Sequence, residues 1–243
     1  MSLHFRALMV AIQFLTRIPV PPMSAPTNGD LSRAALYYPA VGLLVGVLLT
    51  IIASLLDAGE ALLVSALLLT VWITITGALH LDGLADSADA WMGGLGNLQK
   101  THAILKDPLV GAAGLVSVIC IMLLKYSALY VLIDQKHYII IMLAPVLGRA
   151  MILLLFTTTD YVRQQGLAAD VIAGLNGRAA LIGLIPLMVI AAWFSCPGLL
   201  ISLLVFVALR RMMINRLGGC TGDTAGASVE IIEAAWLCTA ALI

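Results

Sequence analysis

A histidine and three aspartates fall close together in Gly77-Ala78-Leu79-His80-Leu81-Asp82-Gly83-Leu84-Ala85-Asp86-Ser87-Ala88-Asp89-Ala90. On a helix turning about 100° per residue, Asp86 lies roughly 40° from Asp82, and Asp89 roughly 20° to the other side. The three carboxylates then share an arc of about 60° on one face. Like charges so spaced repel by roughly 0.2–0.5 kcal/mol per pair. At membrane mid-depth a carboxylate costs about 2.5–3.5 kcal/mol. A divalent cation would offset both penalties. All-oxygen ligation favours Mg²⁺, Mn²⁺ or Ca²⁺ over zinc, and Mg²⁺ commonly completes its shell with water and substrate phosphate. His80 sits roughly opposite Asp82 on such a helix, which suits a base or hydrogen-bond donor better than a ligand. The plainer alternatives are a solvated acidic turn capping a membrane span and an interfacial histidine without a role.

A second constellation runs from Arg210-Arg211 through Arg216 to Gly218-Gly219-Cys220-Thr221-Gly222-Asp223, and on to Glu230 and Glu233. Three arginines beside a glycine-rich turn offer forked donors and accessible backbone N–H groups, a combination suited to phosphate. Taken singly, the same residues read as membrane anchors, an interhelical turn and acids favoured at a helix N-terminus. The pattern is not a P-loop, and Gly93-Gly94-Leu95-Gly96 lacks the third glycine and preceding strand of a dinucleotide fingerprint. Lys106-Asp107-Pro108, with Gly111 and Gly114 behind it, places a charge pair at the mouth of a span. Gly42 and Gly46 form a small-residue packing face. Arg149 falls mid-span and should face the bundle interior, paired with an acid of the aspartate cluster; Lys125 is as deep and has no evident partner. Cys120, Cys196, Cys220 and Cys238 have no CxxC spacing, so small-residue packing is a better reading than disulfides or zinc.

These residues need helices to carry them, and composition says where the helices lie. Of 243 residues, 62% are hydrophobic and only 11% charged. A soluble domain is about 45–50% apolar and roughly a quarter charged. The apolar runs are continuous rather than alternating, which indicates membrane helices and excludes a barrel. The chain is therefore read as one all-α, polytopic membrane domain, 1–243. Seven spans are predicted at 36–56, 61–79, 109–133, 138–158, 179–195, 198–214 and 227–243, with Pro145 and Pro186 bending two of them. Residues 3–15 are expected to form an interfacial helix retained in the mature protein, because only Arg6 precedes the apolar stretch and no cleavage site follows. The polar stretches 80–107, 159–178 and 215–226 share one side. Ten basic residues accompany them (Arg6, Arg17, Arg33, Lys100, Lys106, Arg163, Arg178, Arg210, Arg211 and Arg216), against Lys136 alone on the other side. That bias places the N-terminus and the acidic motifs in the cytoplasm. Thirteen basic residues balance thirteen acidic ones without a basic run, so no nucleic-acid partner is indicated.

Acids for a metal and arginines for phosphate at one face point to Mg²⁺-assisted phosphoryl or nucleotidyl transfer, with a carboxylate or His80 as base. Phe14-Leu15-Thr16-Arg17-Ile18-Pro19-Val20-Pro21, Tyr37-Tyr38-Pro39 with Gly42, the His80 to Asp89 stretch, Lys106-Asp107 with Gly111, and Gly218-Gly219-x-Thr221-Gly222-Asp223 with Glu230 and Glu233 occur in this order. In these motifs, over nearly the whole chain, the sequence resembles the cobalamin synthase (adenosylcobinamide-GDP ribazoletransferase) family. Ser87 stands where threonine would be as readily expected.

The resemblance implies an inner-membrane, Mg²⁺-requiring enzyme. Its substrates would be adenosylcobinamide-GDP and α-ribazole or its 5′-phosphate, with GMP released and adenosylcobalamin or its phosphate formed. It implies Asp82, Asp86 and Asp89 as metal-binding and catalytic acids beside His80, and Asp223, Glu230 and Glu233 as a second metal set. Phosphate contacts would come from Arg17, Arg211 and Arg216, with Lys106, Gly219, Thr221 and Gly222 completing the substrate site. Membrane lipid, other cobalamin-assembly enzymes and a second copy docked through Gly42 and Gly46 are the remaining expected partners. The rivals are a CDP-alcohol phosphotransferase, whose Ala-Arg after Asp-Gly is missing, and a transporter or cation channel, which would place its acids at mid-depth.

Overall fold

The computed structural model describes residues 3–163 and 167–243. Among them the only β-pairing is an isolated parallel bridge between Tyr161 and Cys220; the rest is helix and connection. Helix α1 (Leu3–Leu15) has the predicted bounds and turns Ala7, Val10, Ala11 and Leu15 inward. Helix α2 (Asn28–Ala35) has no counterpart in the hydropathy pattern, being short and polar. It starts at a capping box, where the Thr27 hydroxyl accepts from Asp30 N–H and the Asp30 carboxylate accepts from Thr27 N–H. Arg6 ties α1 to it through Asp30 at 3.0 Å.

The longer elements follow in order: α3 (Tyr38–Leu55), α4 (Ala61–Thr76), α5 (Leu79–Gly93), the short α6 (Leu98–Ile104), α7 (Ala112–Asp134) and α8 (Tyr138–Thr158). After them come the short α9 (Leu167–Ala173), α10 (Gly177–Phe194), α11 (Cys196–Leu217) and α12 (Gly222–Ala241). Hydropathy predicts seven spans, whereas five helices (α3, α7, α8, α10 and α11) are long and apolar enough to cross a membrane alone. A sixth arises only if α4 and α5 count as one span bent by 88°. The bend is built by two successive left-handed residues, Gly77 (φ 63°) and Ala78 (φ 58°). The Arg17 side chain lies where a Cβ on residue 77 would be, so glycine is required there twice over. Helix α5 leaves the direction of α4 at that elbow.

Helix α12 falls short for another reason. It begins before the predicted seventh span and carries Asp223, Glu230 and Glu233. It can do so because its surroundings are protein rather than lipid: α5, α7, α8 and α11 pack around it. Helix α8 is the other inner element, with 83% of its apolar window buried against 17% for the peripheral α10. Pro145 and Pro186 lie within the continuous helices α8 and α10. Gly42 and Gly46 of α3 press on the backbone of Pro145 and Met142, so α8 occupies that small-residue face within one chain and it is not free to dock a second copy.

The polar stretches are also more ordered than loops. Segment 80–107 forms most of α5 and all of α6, 159–178 contains α9 (with 164–166 outside the described residues), and 215–226 is the end of α11, a turn at 218–221 and the start of α12. At one end of the bundle the turns at 57–60 and 134–137 meet through Lys136 and Asp57, 2.6 Å apart. The other end gathers α5, segment 159–163 and the start of α12.

Candidate active site

The site forms where α5 crosses the first turns of α12. Gly83 makes that crossing possible: a Cβ there would lie 2.6 Å from the Asp223 carbonyl oxygen. Gly226 lies against the same helix more loosely, where a Cβ would be in ordinary contact with the His80 backbone at 3.4 Å. The glycines of the two acidic motifs therefore interlock, and Asp82 and Asp223 come onto one wall. Helix α12 is started by a second capping box, Thr221 with Thr224. Gly218 ends α11 in the left-handed conformation. Cys220 N–H donates to the Asp160 carbonyl (2.8 Å) and Val162 N–H to the Cys220 carbonyl (3.0 Å), stitching segment 160–162 alongside the turn.

A cavity of about 260 Å³ opens at this crossing. Its polar wall comprises His80, Asp82, Tyr161, Arg163, Gly222 and Asp223; Phe14, Tyr38 and Phe156 close the apolar side. Arg163 donates to the Asp223 carboxylate at 2.7 Å and to the Leu105 carbonyl at 3.0 Å. Burial pushes the Asp223 carboxyl up, Arg163 opposes this, and Asp82 adds to it. Behind the wall, the Asp86 carboxyl is pushed up to about 6, first by burial and then by the charges of Asp82, Asp223 and Asp89. One guanidinium does not balance so many acids, and that excess suits a cation.

The predicted site residues separate into two groups. His80, Asp82, Gly222 and Asp223 line the cavity, and Asp86 stands beside them. The others lie elsewhere or are engaged. Asp89 accepts from Gly111 N–H (2.7 Å) and Gly114 N–H (2.8 Å), serving as the N-terminal cap of α7. Gly111 and Gly114 are small because a Cβ on either would meet that carboxylate. Glu230 and Glu233 form buried ion pairs with Lys125, each 2.5 Å, and Glu233 pairs with Arg149 as well. Arg149 thus finds its acid in α12, not in the aspartate cluster, and Lys125 has two partners where none was evident. Arg216 donates to the Trp91 carbonyl at 2.7 Å and lies over the indole ring. Gly219 is buried against Asp160, and Thr221 serves as a cap. Arg17, Lys106 and Arg211 are exposed, with Arg17 lying across Gly77 at the α4–α5 elbow.

Sequence reasoning passed over Arg163 and Tyr161. Neither belongs to a motif, and the only signal for Arg163 is a positive charge on the same side as the acids. The residues fit a magnesium ion through oxygen chemistry and uncompensated negative charge. Among the described residues no three His, Cys, Asp or Glu side chains form a ready cage. Mg²⁺ does not need one, since it is commonly held by one or two carboxylates plus water and substrate phosphate.

Residues 7–241 match the family model described as cobalamin-5-phosphate synthase. The chain belongs to that family. It is 46% identical over 238 residues to an adenosylcobinamide-GDP ribazoletransferase of Stutzerimonas stutzeri (strain A1501), covering 97% of each chain. Proteins of the same name from Pseudomonas entomophila (strain L48) and Pseudomonas aeruginosa (strain UCBPP-PA14) are 48% and 47% identical, over 96% and 98% of this chain and 98% of theirs. No solved structure matches it.

Proposed function

We infer that this chain is an adenosylcobinamide-GDP ribazoletransferase acting in the assembly of the cobalamin nucleotide loop. A hydroxyl of α-ribazole 5′-phosphate, or of α-ribazole, attacks the phosphate attached to cobinamide. The bond to the guanylyl phosphate breaks and GMP leaves. The family description names a 5-phosphate product, which favours the phosphorylated nucleophile. The observation that carries the reading is the cavity wall shared by Asp82, Asp223 and Arg163 with Asp86 behind it, in a chain whose relatives bear this name. A pocket for a complete small ligand measures about 300–1,000 Å³. The cavity of about 260 Å³ suits the reacting phosphates of a substrate whose bulk stays outside.

Asp82 and Asp223 are the residues that would hold Mg²⁺, which when bound supplies charge neutralisation at the phosphate oxygens. Arg163, already oriented by Asp223 and the Leu105 carbonyl, presents its remaining donors to phosphate. Asp86 takes the proton of the attacking hydroxyl: Asp82 and Asp223 would be engaged by the metal, and burial, the first cause of the raised Asp86 carboxyl, matches it better to neutral pH than an ordinary one. Phe14, Tyr38 and Phe156 exclude water from the apolar side. The site sits on the basic, cytoplasmic side of a multi-pass inner-membrane protein; the ten-to-one bias of Lys and Arg supports that orientation.

The test supplies membranes containing the protein with adenosylcobinamide-GDP, Mg²⁺ and either α-ribazole or its 5′-phosphate, with and without chelator. GMP release that stops on chelation is expected. Absence of GMP with both nucleophiles refutes the reading, and GMP release indifferent to chelator refutes the metal.

A further inference from the structure

Behind the cavity a chain of charged side chains runs through the protein interior. Lys125 of α7 meets Glu230 and Glu233 of α12 at 2.5 Å each, and Glu233 binds Arg149 of α8 through its other oxygen. The second terminal nitrogen of Arg149 lies 3.4 Å from Nδ1 of His80. Lys125, Arg149 and Glu233 are at most 2% exposed. Two cations face two carboxylates, so the set is balanced among its own members and has no charge left to offer a ligand. It has one outlet. His80, 3% exposed, is both the end of this chain and part of the cavity wall, and its Nε2 has no hydrogen-bond partner.

The chemistry of the arginine decides what that outlet is. A guanidinium has five N–H donors and no acceptor. The Nδ1 atom facing it must therefore present its lone pair, since a proton there would set N–H against N–H. The single proton of a neutral imidazole is then carried on Nε2. Glu233 holds Arg149 in that orientation, and Lys125 holds Glu233. A ring with its only lone pair turned to Arg149 has none left at Nε2, so at that atom it can give a hydrogen bond and cannot accept a proton.

We propose that Arg149 is a positioning residue that holds His80 as the Nε2–H tautomer. His80 then donates a hydrogen bond to a phosphate oxygen of the nucleotide-activated substrate and is not the base. This rests on the transferase reading for its substrate, while the tautomer itself does not. The role agrees with the partnerless Nε2, because a buried donor normally has a hydrogen-bond partner and a substrate oxygen would supply one. It also leaves proton removal to a carboxylate.

Two measurements test it. His80→Gln keeps an N–H donor near the Nε2 position and cannot serve as a base; His80→Ala removes both functions. Loss of a donor to developing phosphate charge costs about 10²-fold in kcat. The expected result is a loss of that order for His80→Ala, with His80→Gln staying within about tenfold of the native enzyme. Equal inactivity of the two in an otherwise working assay overturns the donor role. Separately, ¹⁵N spectra of histidine-labelled protein in lipid nanodiscs, assigned by difference against His80→Gln, should show a proton on Nε2 and none on Nδ1. Arg149→Met should mix the two tautomers. A proton on Nδ1 in the native protein overturns the positioning role whether or not GMP is ever released, and this holds even if Arg149→Met fails to fold. No GMP from the native enzyme, with Nε2 protonated, would refute the transferase reading and leave the tautomer standing.

Discussion

Helices α5, α7, α8 and α12 carry two sets of charged side chains of opposite construction. Asp82, Asp86 and Asp223 are three carboxylates served by one guanidinium, Arg163, beside a cavity. Lys125, Arg149, Glu230 and Glu233 are two cations and two carboxylates, buried and mutually paired. Both sets hold acids at short helical spacing and would pass for metal sites in a sequence. Surplus charge beside open space calls for a ligand, whereas balanced charge without space holds helices together. The placement of the partners, rather than the acids themselves, makes the difference.

If the paired set is architectural, its loss should be felt in stability. Removing one member of a buried pair costs about 3–5 kcal/mol, because the other charge is left uncompensated. Glu233→Ala strands Arg149 and half of the Lys125 pairing, and should lower the unfolding midpoint in detergent by far more than any substitution in the acidic set. An unchanged midpoint would break the comparison. The open set should behave the other way. Asp82→Ala should cut GMP release about 10²–10³-fold, the scale of losing a main electrostatic contact to the transition state, while the protein melts no lower than native. A fall in stability matching the fall in rate would make Asp82 structural after all.

Asp86 gives a pH test with a definite sign. Its carboxyl is raised from 3.8 to about 6, so between those values the folded protein binds more protons than the unfolded chain. Without metal, stability should therefore fall as pH rises through that window. Asp86→Asn should flatten that slope. A slope unchanged in Asp86→Asn would mean that the carboxyl is not strained by its neighbours. The smallest effect belongs to Asp89. Asp89→Ala removes the cap of α7 and should cost about 0.5–2 kcal/mol of stability. Activity should drop only modestly, and a loss as deep as that of Asp82→Ala would return Asp89 to the metal site.

Helical periodicity made several elements legible beforehand. Helix α1 has the predicted limits, and the arc shared by Asp82, Asp86 and Asp89 requires the helix that α5 supplies. Helix α2 was also legible in principle, since Thr27 and Asp30 have capping-box spacing, although it is too polar to register as a span. The right-angled elbow was less so: Gly77 marks a break, but Ala78 in the left-handed region has no compositional sign. Arg149 and Glu233 are 84 residues apart, and Lys125 and Glu230 are 105 apart. No local pattern pairs residues at such separations.

By itself the sequence determined a helical membrane protein with its polar chemistry gathered at one face, because composition and period are properties of the chain alone. It also determined the family, through motifs spread along nearly the full length. Only the tertiary structure decided what each carboxylate is placed against. Asp89 caps α7, Glu230 and Glu233 pair with buried cations, and Asp82 and Asp223 line the cavity with Asp86 beside them. A carboxylate has the same intrinsic chemistry at each of these positions. What it does depends on the donor or cation brought against it, and that is set by how the helices cross.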